Sequence, residues 1–151
     1  MSLLERYQTM SAKLDAAIDS ALEHEVAEVV KDIILEQAVS AVYSYPATAP
    51  AMSSRRKSDG GLGDRGNLSA RVEAGHVLIV EDVAPLQGTD YGIALSDVVE
   101  HGLVNYRQPG PRPFLNRSET EAVSSGRAAA ALLSGLARQG VTSSGFGVQK
   151  K

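Results

Sequence analysis

Apolar positions recur with a helical period from Thr9 to Val42. Leu14, Ile18, Leu22, Val29 and Ile33 fall on one stripe, and Val26, Val30 and Ile34 widen it. The opposite side holds Asp15, Asp19, Glu23, Glu28, Lys31 and Asp32. Thr9 or Ser11 can cap the start, Asp15 suits the positive end of the helix dipole, and neither Gly nor Pro interrupts before Pro46. The pattern predicts a helix over 10–42. At ~1.5 Å per residue it is about 45 Å long, too long for a compact domain of this size, so part of it is expected to project or to pack on another subunit.

Beyond it the pattern changes twice. Residues 44–69, with Pro46, Pro50, Arg55-Arg56-Lys57 and a cluster of glycines, read as an extended loop. Alternation in Ser69–Ala74, a turn at Gly75-His76 and the apolar run Val77–Val80 predict a hairpin, the start of a small antiparallel sheet over 69–106. Tyr91 to Val99 fits a short helix capped by Ser96, a third strand ending at His101-Gly102, or a mixture. The Pro-rich run 108–113 cannot be regular. A closing helix over 113–140 follows, with Pro113 in its first turn, Phe114, Val123, Leu132, Leu133 and Leu136 on its apolar side, and Gly140 at its end. Residues 141–151 read as a flexible tail. The sum is one α+β domain spanning 1–151: a long N-terminal helix, a long loop, a small antiparallel sheet and a C-terminal helix packed on the sheet.

Composition narrows the chemistry. The 151 residues include no cysteine and no tryptophan, so disulfides, thiolate chemistry and Cys-type zinc sites are excluded and the core must be aliphatic. No apolar run approaches the ~20 residues of a membrane span, and the N-terminus lacks the pattern of a secretory signal. The net charge of −3 conceals blocks of −5, +2, −5 and +5 over 1–50, 51–75, 76–106 and 107–151. Such blocks are either solvated surface or faces of opposite sign through which the protein meets copies of itself or a neighbour.

One motif invites a different reading. Gly61-Leu62-Gly63-Asp64-Arg65-Gly66 matches the dinucleotide fingerprint G-x-G-x-x-G, and Glu81-Asp82 lies where the ribose-binding acid belongs. Its context is wrong. The preceding Arg-Arg-Lys-Ser-Asp is no buried strand, and too little chain separates Gly66 from Val77 for a crossover helix. The glycines are expected to serve a turn instead. His24, His76 and His101 have no metal-ligand spacing, no nucleophile elbow occurs, and Glu23/Glu25 and Glu119/Glu121 point to different helix faces. The chain is therefore expected to be no enzyme, with no cofactor and no metal. Arg55, Arg56, Lys57 and Arg65 are candidate contacts to a partner or to copies of the chain. A nucleic-acid-binding protein using the basic loop 55–71 is the alternative.

The order of landmarks carries a resemblance. Gly66, Asn67 and Leu68 enter the first strand; Val99, Glu100 and Gly102 follow; then Arg112, Pro113, Phe114 and Leu115 open the closing helix. This order resembles the neck and tail-completion (head-tail joining) proteins of long-tailed bacteriophages and prophages, over most of residues 10–140. The basic, glycine-rich stretch 53–65 departs from that family's short Pro-containing turn. The resemblance implies a non-enzymatic subunit of the virion, assembled in the host bacterial cytoplasm, forming a homo-oligomeric ring of six copies. Its partners would be head-connector and tail-tube proteins, with DNA passing only through the lumen and no membrane contact. Arg112 is expected to hold a carbonyl or carboxylate near the sheet while Phe114 enters the core.

Overall fold

A computed structural model describes residues 1–43, 60–84, 95–101 and 111–141. The chain opens with one helical run from Leu3 to Tyr43, about 60 Å long at ~1.5 Å per residue. It comprises α1 (Leu3–Ala21), a π turn (Leu22–Val26), α2 (Ala27–Ala38) and a second π turn (Val39–Tyr43). After a 3₁₀ turn at Arg65–Asn67 come β1 (Leu68–Glu73) and β2 (Val77–Asp82), then α3 (Leu95–His101), α4 (Phe114–Ser124) and α5 (Arg127–Arg138). The protein is mixed α+β and mostly helical.

The helix starts earlier than the apolar stripe suggests because a capping box fixes its end. Ser2 Oγ accepts from the Glu5 amide at 3.2 Å, and Glu5 Oε2 accepts from the Ser2 amide at 2.5 Å. The π turn at Leu22–Val26 inserts one residue into the helical repeat, so the apolar spacing counted across it is shifted by one. Ala17 and Ala21 are buried before it, and Ile33, Ile34 and Ala38 after it. Leu14, placed on the apolar stripe by its spacing, is largely exposed because nothing described lies over that part of α1.

The core sits at the C-terminal end of the long helix. Ile34, Ala38, Ala41 and Val42 meet Leu62, Leu68, Ala84, Val99 and Phe114, with Val30, Leu35, Val80 and Leu115 packed around them. β1 and β2 pair antiparallel from Leu68↔Asp82 to Glu73↔Val77. Leu68, Ala70 and Val72 turn inward, while Ser69, Arg71 and Glu73 face solvent. At the tip, Gly75 (φ 85°) and His76 (φ 62°) take the left-handed backbone that the tight turn needs. Residues 95–101 are helix rather than strand, and Ser96 is buried there, its hydroxyl donating to the Asp82 carbonyl at 3.1 Å.

The closing helix is broken in two. Gly126 (φ 75°) lies between α4 and α5, and the apolar side expected of one helix is not buried throughout: Val123 is exposed and Leu133 only half covered. A Schellman motif ends α5: Gly140 (φ 79°) donates to Ala137 O, and Val141 to Leu136 O. α5 runs antiparallel to the long helix, with Arg127 on Glu36, Arg138 on Glu25, and Gln139 Nε2 donating to Ser20 Oγ at 3.1 Å. Small residues allow this approach. A Cβ built on Gly135 would lie 2.6 Å from the Ala21 Cβ and 3.0 Å from its Cα.

The charge blocks meet inside the chain. Arg65 bridges Glu28 and Asp32; His76 reaches Asp19 at 2.7 Å and Asp15 at 3.4 Å; Arg127 and Arg138 take Glu36 and Glu25. The acidic helix thus binds the loop, the hairpin tip and α5 in turn. The Asp19 contact, reinforced by Asp15, raises the His76 pKa above the ordinary histidine value. That clasp therefore contributes below the unfolded-state pKa and fades as pH rises through the folded one.

Two outcomes follow for stability. Gly135→Ala gains about 1 kcal/mol of helix propensity but drives a methyl into Ala21, an overpacking that costs about 1–3 kcal/mol. Urea unfolding should therefore show a net loss. Asp82 is buried, with Oδ1 accepting from the Ala84 amide at 2.8 Å and no partner for Oδ2 among the described residues. Burial pushes its pKa up to about 6, so the protonated form is favoured on folding and stability falls as pH rises from the unfolded-state value through 6. Asp82→Asn should stabilise the fold by about 2 kcal/mol at pH 8, and by almost nothing at pH 3.5, in paired thermal melts.

Candidate functional site

The glycine-rich turn is organised by a single carboxylate. Asp64 Oδ2 accepts from the Gly60 amide at 2.8 Å and Oδ1 from the Gly66 amide at 2.9 Å, and these two amides hold its pKa below the usual range. Gly66 fits because a Cβ there would press on Asp64 Oδ1 at 3.2 Å. Asn67 Nδ2 donates to Gly61 O at 3.0 Å, and the Val83 amide donates to Asn67 O at 2.9 Å, which ties the turn to the end of β2. Leu62 and Leu68 on either side drop into the core. A dinucleotide cradle needs free amides and a following helix. Here the amides of Gly60 and Gly66 are committed to Asp64, and a strand follows. Glu81 pairs with Arg71 across the hairpin at 2.6 Å, and Asp82 is buried.

A second node forms where α3 meets the start of α4. Glu100 stands over the α4 N-terminus, with Oε2 accepting from the Leu115 amide at 2.9 Å and Oε1 from the Asn116 amide at 3.1 Å. Pro113 at the cap position has no side-chain hydrogen bond to offer, so Glu100 supplies the missing acceptor and its charge suits the helix dipole. The Arg112 amide donates to Val99 O at 2.9 Å, and its Nη1 donates to Val42 O at 3.1 Å. A cation is thereby placed among the last carbonyls of the long helix. Phe114 is fully buried among Leu62, Leu68 and Val99.

Gly66, Asn67, Leu68, Glu100, Arg112, Pro113 and Phe114 are thus brought to one end of the molecule, around one core. Of the four contact candidates, Arg65 is seen bridging Glu28 and Asp32 on successive turns of α2, and it also reaches the Glu28 carbonyl at 3.3 Å. Arg65, with Lys31 behind it, lowers the Glu28 pKa, and the arginine's own rises. Arg55, Arg56, Lys57 and Gly102 lie outside the described residues. The residues that sequence reasoning missed are Asp64 and the Glu28/Asp32 pair. Asp64 was signalled by its place two residues before Gly66, an Asx-turn spacing. The i, i+4 acids of α2 carry no signal pointing to Arg65. Among the described residues no group of three or more His, Asp or Glu is placed to hold a metal ion, and no helix is long and apolar enough to cross a membrane.

The polar groups of both nodes bind backbone, and their arrangement is that of a brace. Removing the brace should show in stability. Glu100→Ala leaves two amides at the α4 N-terminus without an acceptor and should cost about 2 kcal/mol in urea unfolding, with Glu100→Gln, which keeps one oxygen, intermediate.

Comparison with known proteins gives a family match. No curated protein matches the chain, and no solved structure does. The profile of the YomN family matches residues 6–138, which takes in the long helix, both nodes and α5. YomN is a family derived from Bacillus phages and prophages, and the chain belongs to it.

Proposed function

We propose that the protein is a structural subunit of a phage or prophage virion, forming a ring of six copies in the neck or tail, where the tail is joined to or terminated at the head connector. One observation carries the reading. In a chain of a phage-derived family, the Gly-Asn-Leu, Val-Glu and Arg-Pro-Phe landmarks converge on a single core, and their polar groups all bind backbone. Residues committed in this way support a rigid building block and offer no reacting group to a substrate. A closed ring needs two different faces on each subunit. The exposed Val123 and Leu133 on the closing helices are surfaces available for such contacts.

The nucleic-acid reading of loop 55–71 draws no support from Arg65 or Arg71, because both are held in ion pairs, with Glu28/Asp32 and with Glu73/Glu81.

Negative-stain microscopy of the purified protein, alone and mixed with tail tubes and head connectors, tests the proposal. Rings, and rings seated on tube ends, are the expected result. A protein that never forms rings and never binds tubes or connectors overturns it.

A further inference from the structure

The first four turns of the long helix carry an apolar stripe that nothing described covers. Leu3 is 86% exposed, Tyr7 64%, Met10 66% and Leu14 42%, with Leu4 beside them. Their spacing of four, three and four residues keeps them on one line, and Ala17 and Ala21 continue that line. α5 lies on the same line, over Ala21, with Gln139 bonded to Ser20, and there it ends at Gly140. Along this line the helix is therefore covered from Ala17 onward and bare before it, while on another side the hairpin tip reaches Asp19 and Asp15. The bare part is no frayed end, since the Ser2/Glu5 capping box closes it.

We propose that a second copy of this chain occupies the stripe, the two α1 helices pairing antiparallel about a two-fold axis between Tyr7 and Met10. Leu3 of each copy then packs on Leu14 of the other, and Tyr7 on Met10. Three observations favour this occupant. An antiparallel copy runs in the same direction as α5, so its capped N-terminus arrives where α5 stops, and the positive end of one helix faces the negative end of the other. Parallel pairing would instead drive the two α5 helices into the space between the α1 helices. The exposed apolar residues run over about three turns of each helix, and full pairing of the two stripes reaches at most the lower end, about 1,200 Å², of specific interfaces. The chemistry also fits: the stripe is flanked by Leu4 and Ser11 on one edge and by Arg6 and Lys13 on the other, so its centre carries no charge to desolvate. The one opposing feature is that Arg6 of each copy faces Lys13 of the other. The pairing goes beyond the ring reading and does not rest on it, because a two-fold contact closes on itself.

The chain has no cysteine, so single cysteines report the pairing directly. Full-length Leu3→Cys and Leu14→Cys proteins, mixed and oxidised, should form the mixed disulfide at least tenfold in excess of either self-linked product. Predominant self-linking of Leu14→Cys would mean parallel helices and overturn the proposal. Sedimentation of the unmodified protein should show a reversible dimer. Met10→Glu, at an exposed position the fold does not need, should weaken the dimer at least tenfold. Lys13→Glu should strengthen it several-fold by giving Arg6 an opposite charge. A protein that stays monomeric at about 100 µM overturns the proposal, including the case where hydrogen exchange shows residues 3–14 protected by the chain's own remaining residues.

Discussion

A two-stranded hairpin and helices of seven to twelve residues cannot hold their shape in water, because each exposes too much surface for the order it demands. Here they do so by lying on one helix. Leu68 and Ala84 at the base of the hairpin, Val99 of α3 and Phe114 of α4 all bury against Ile34, Ala38 and Val42. Burying a side chain such as Phe114 contributes about 1.5–3 kcal/mol, and no short element has enough such contacts with its sequence neighbours alone. The helix is the common wall of the fold.

Charge gives that wall its register. Four later groups, Arg65, His76, Arg127 and Arg138, each find acids of the long helix. Pairs this exposed contribute about 0.2–1 kcal/mol each, so they do not drive folding. They do select positions along the helix: His76 on Asp15 and Asp19, Arg138 on Glu25, Arg65 on Glu28 and Asp32, and Arg127 on Glu36 mark successive stations. The segregation of acids and bases in the sequence thus has an internal use. Among the described residues, the apolar stripe of α1 takes no part in this pattern of ion pairs.

Much of this was legible in the residues. The long amphipathic helix, the hairpin with its Gly-His turn, the helix ending at Gly140 and the failure of the glycine motif as a nucleotide cradle all follow from local chemistry, which acts over a few residues. What escaped was set by contacts or by competing local signals. Ser2-x-x-Glu5 is a plain capping box, but an apolar stripe read from Leu14 onward hid it. The helix expected over 113–140 runs through Ser124-Ser125-Gly126, where the left-handed φ of Gly126 separates α4 from α5. The partners of Arg65 and Glu100 lie 33 to 37 and 15 to 16 residues away, beyond the reach of any periodicity.

The π turn at Leu22–Val26 has a consequence for how this chain can vary. A turn with one residue more than an α turn rotates everything after it by about 100° relative to what came before. α5 crosses this turn, holding Ser20 before it, Glu25 within it and Glu36 after it, so its fit along the rod depends on that one extra residue. Losing a single residue there would still leave a well-bonded helix. It would nonetheless turn Glu36 and the core positions after it away from Ser20 and Ala21, and α5 could no longer follow both. Within this helix the packing accommodates many changes of side chain more readily than a change of length.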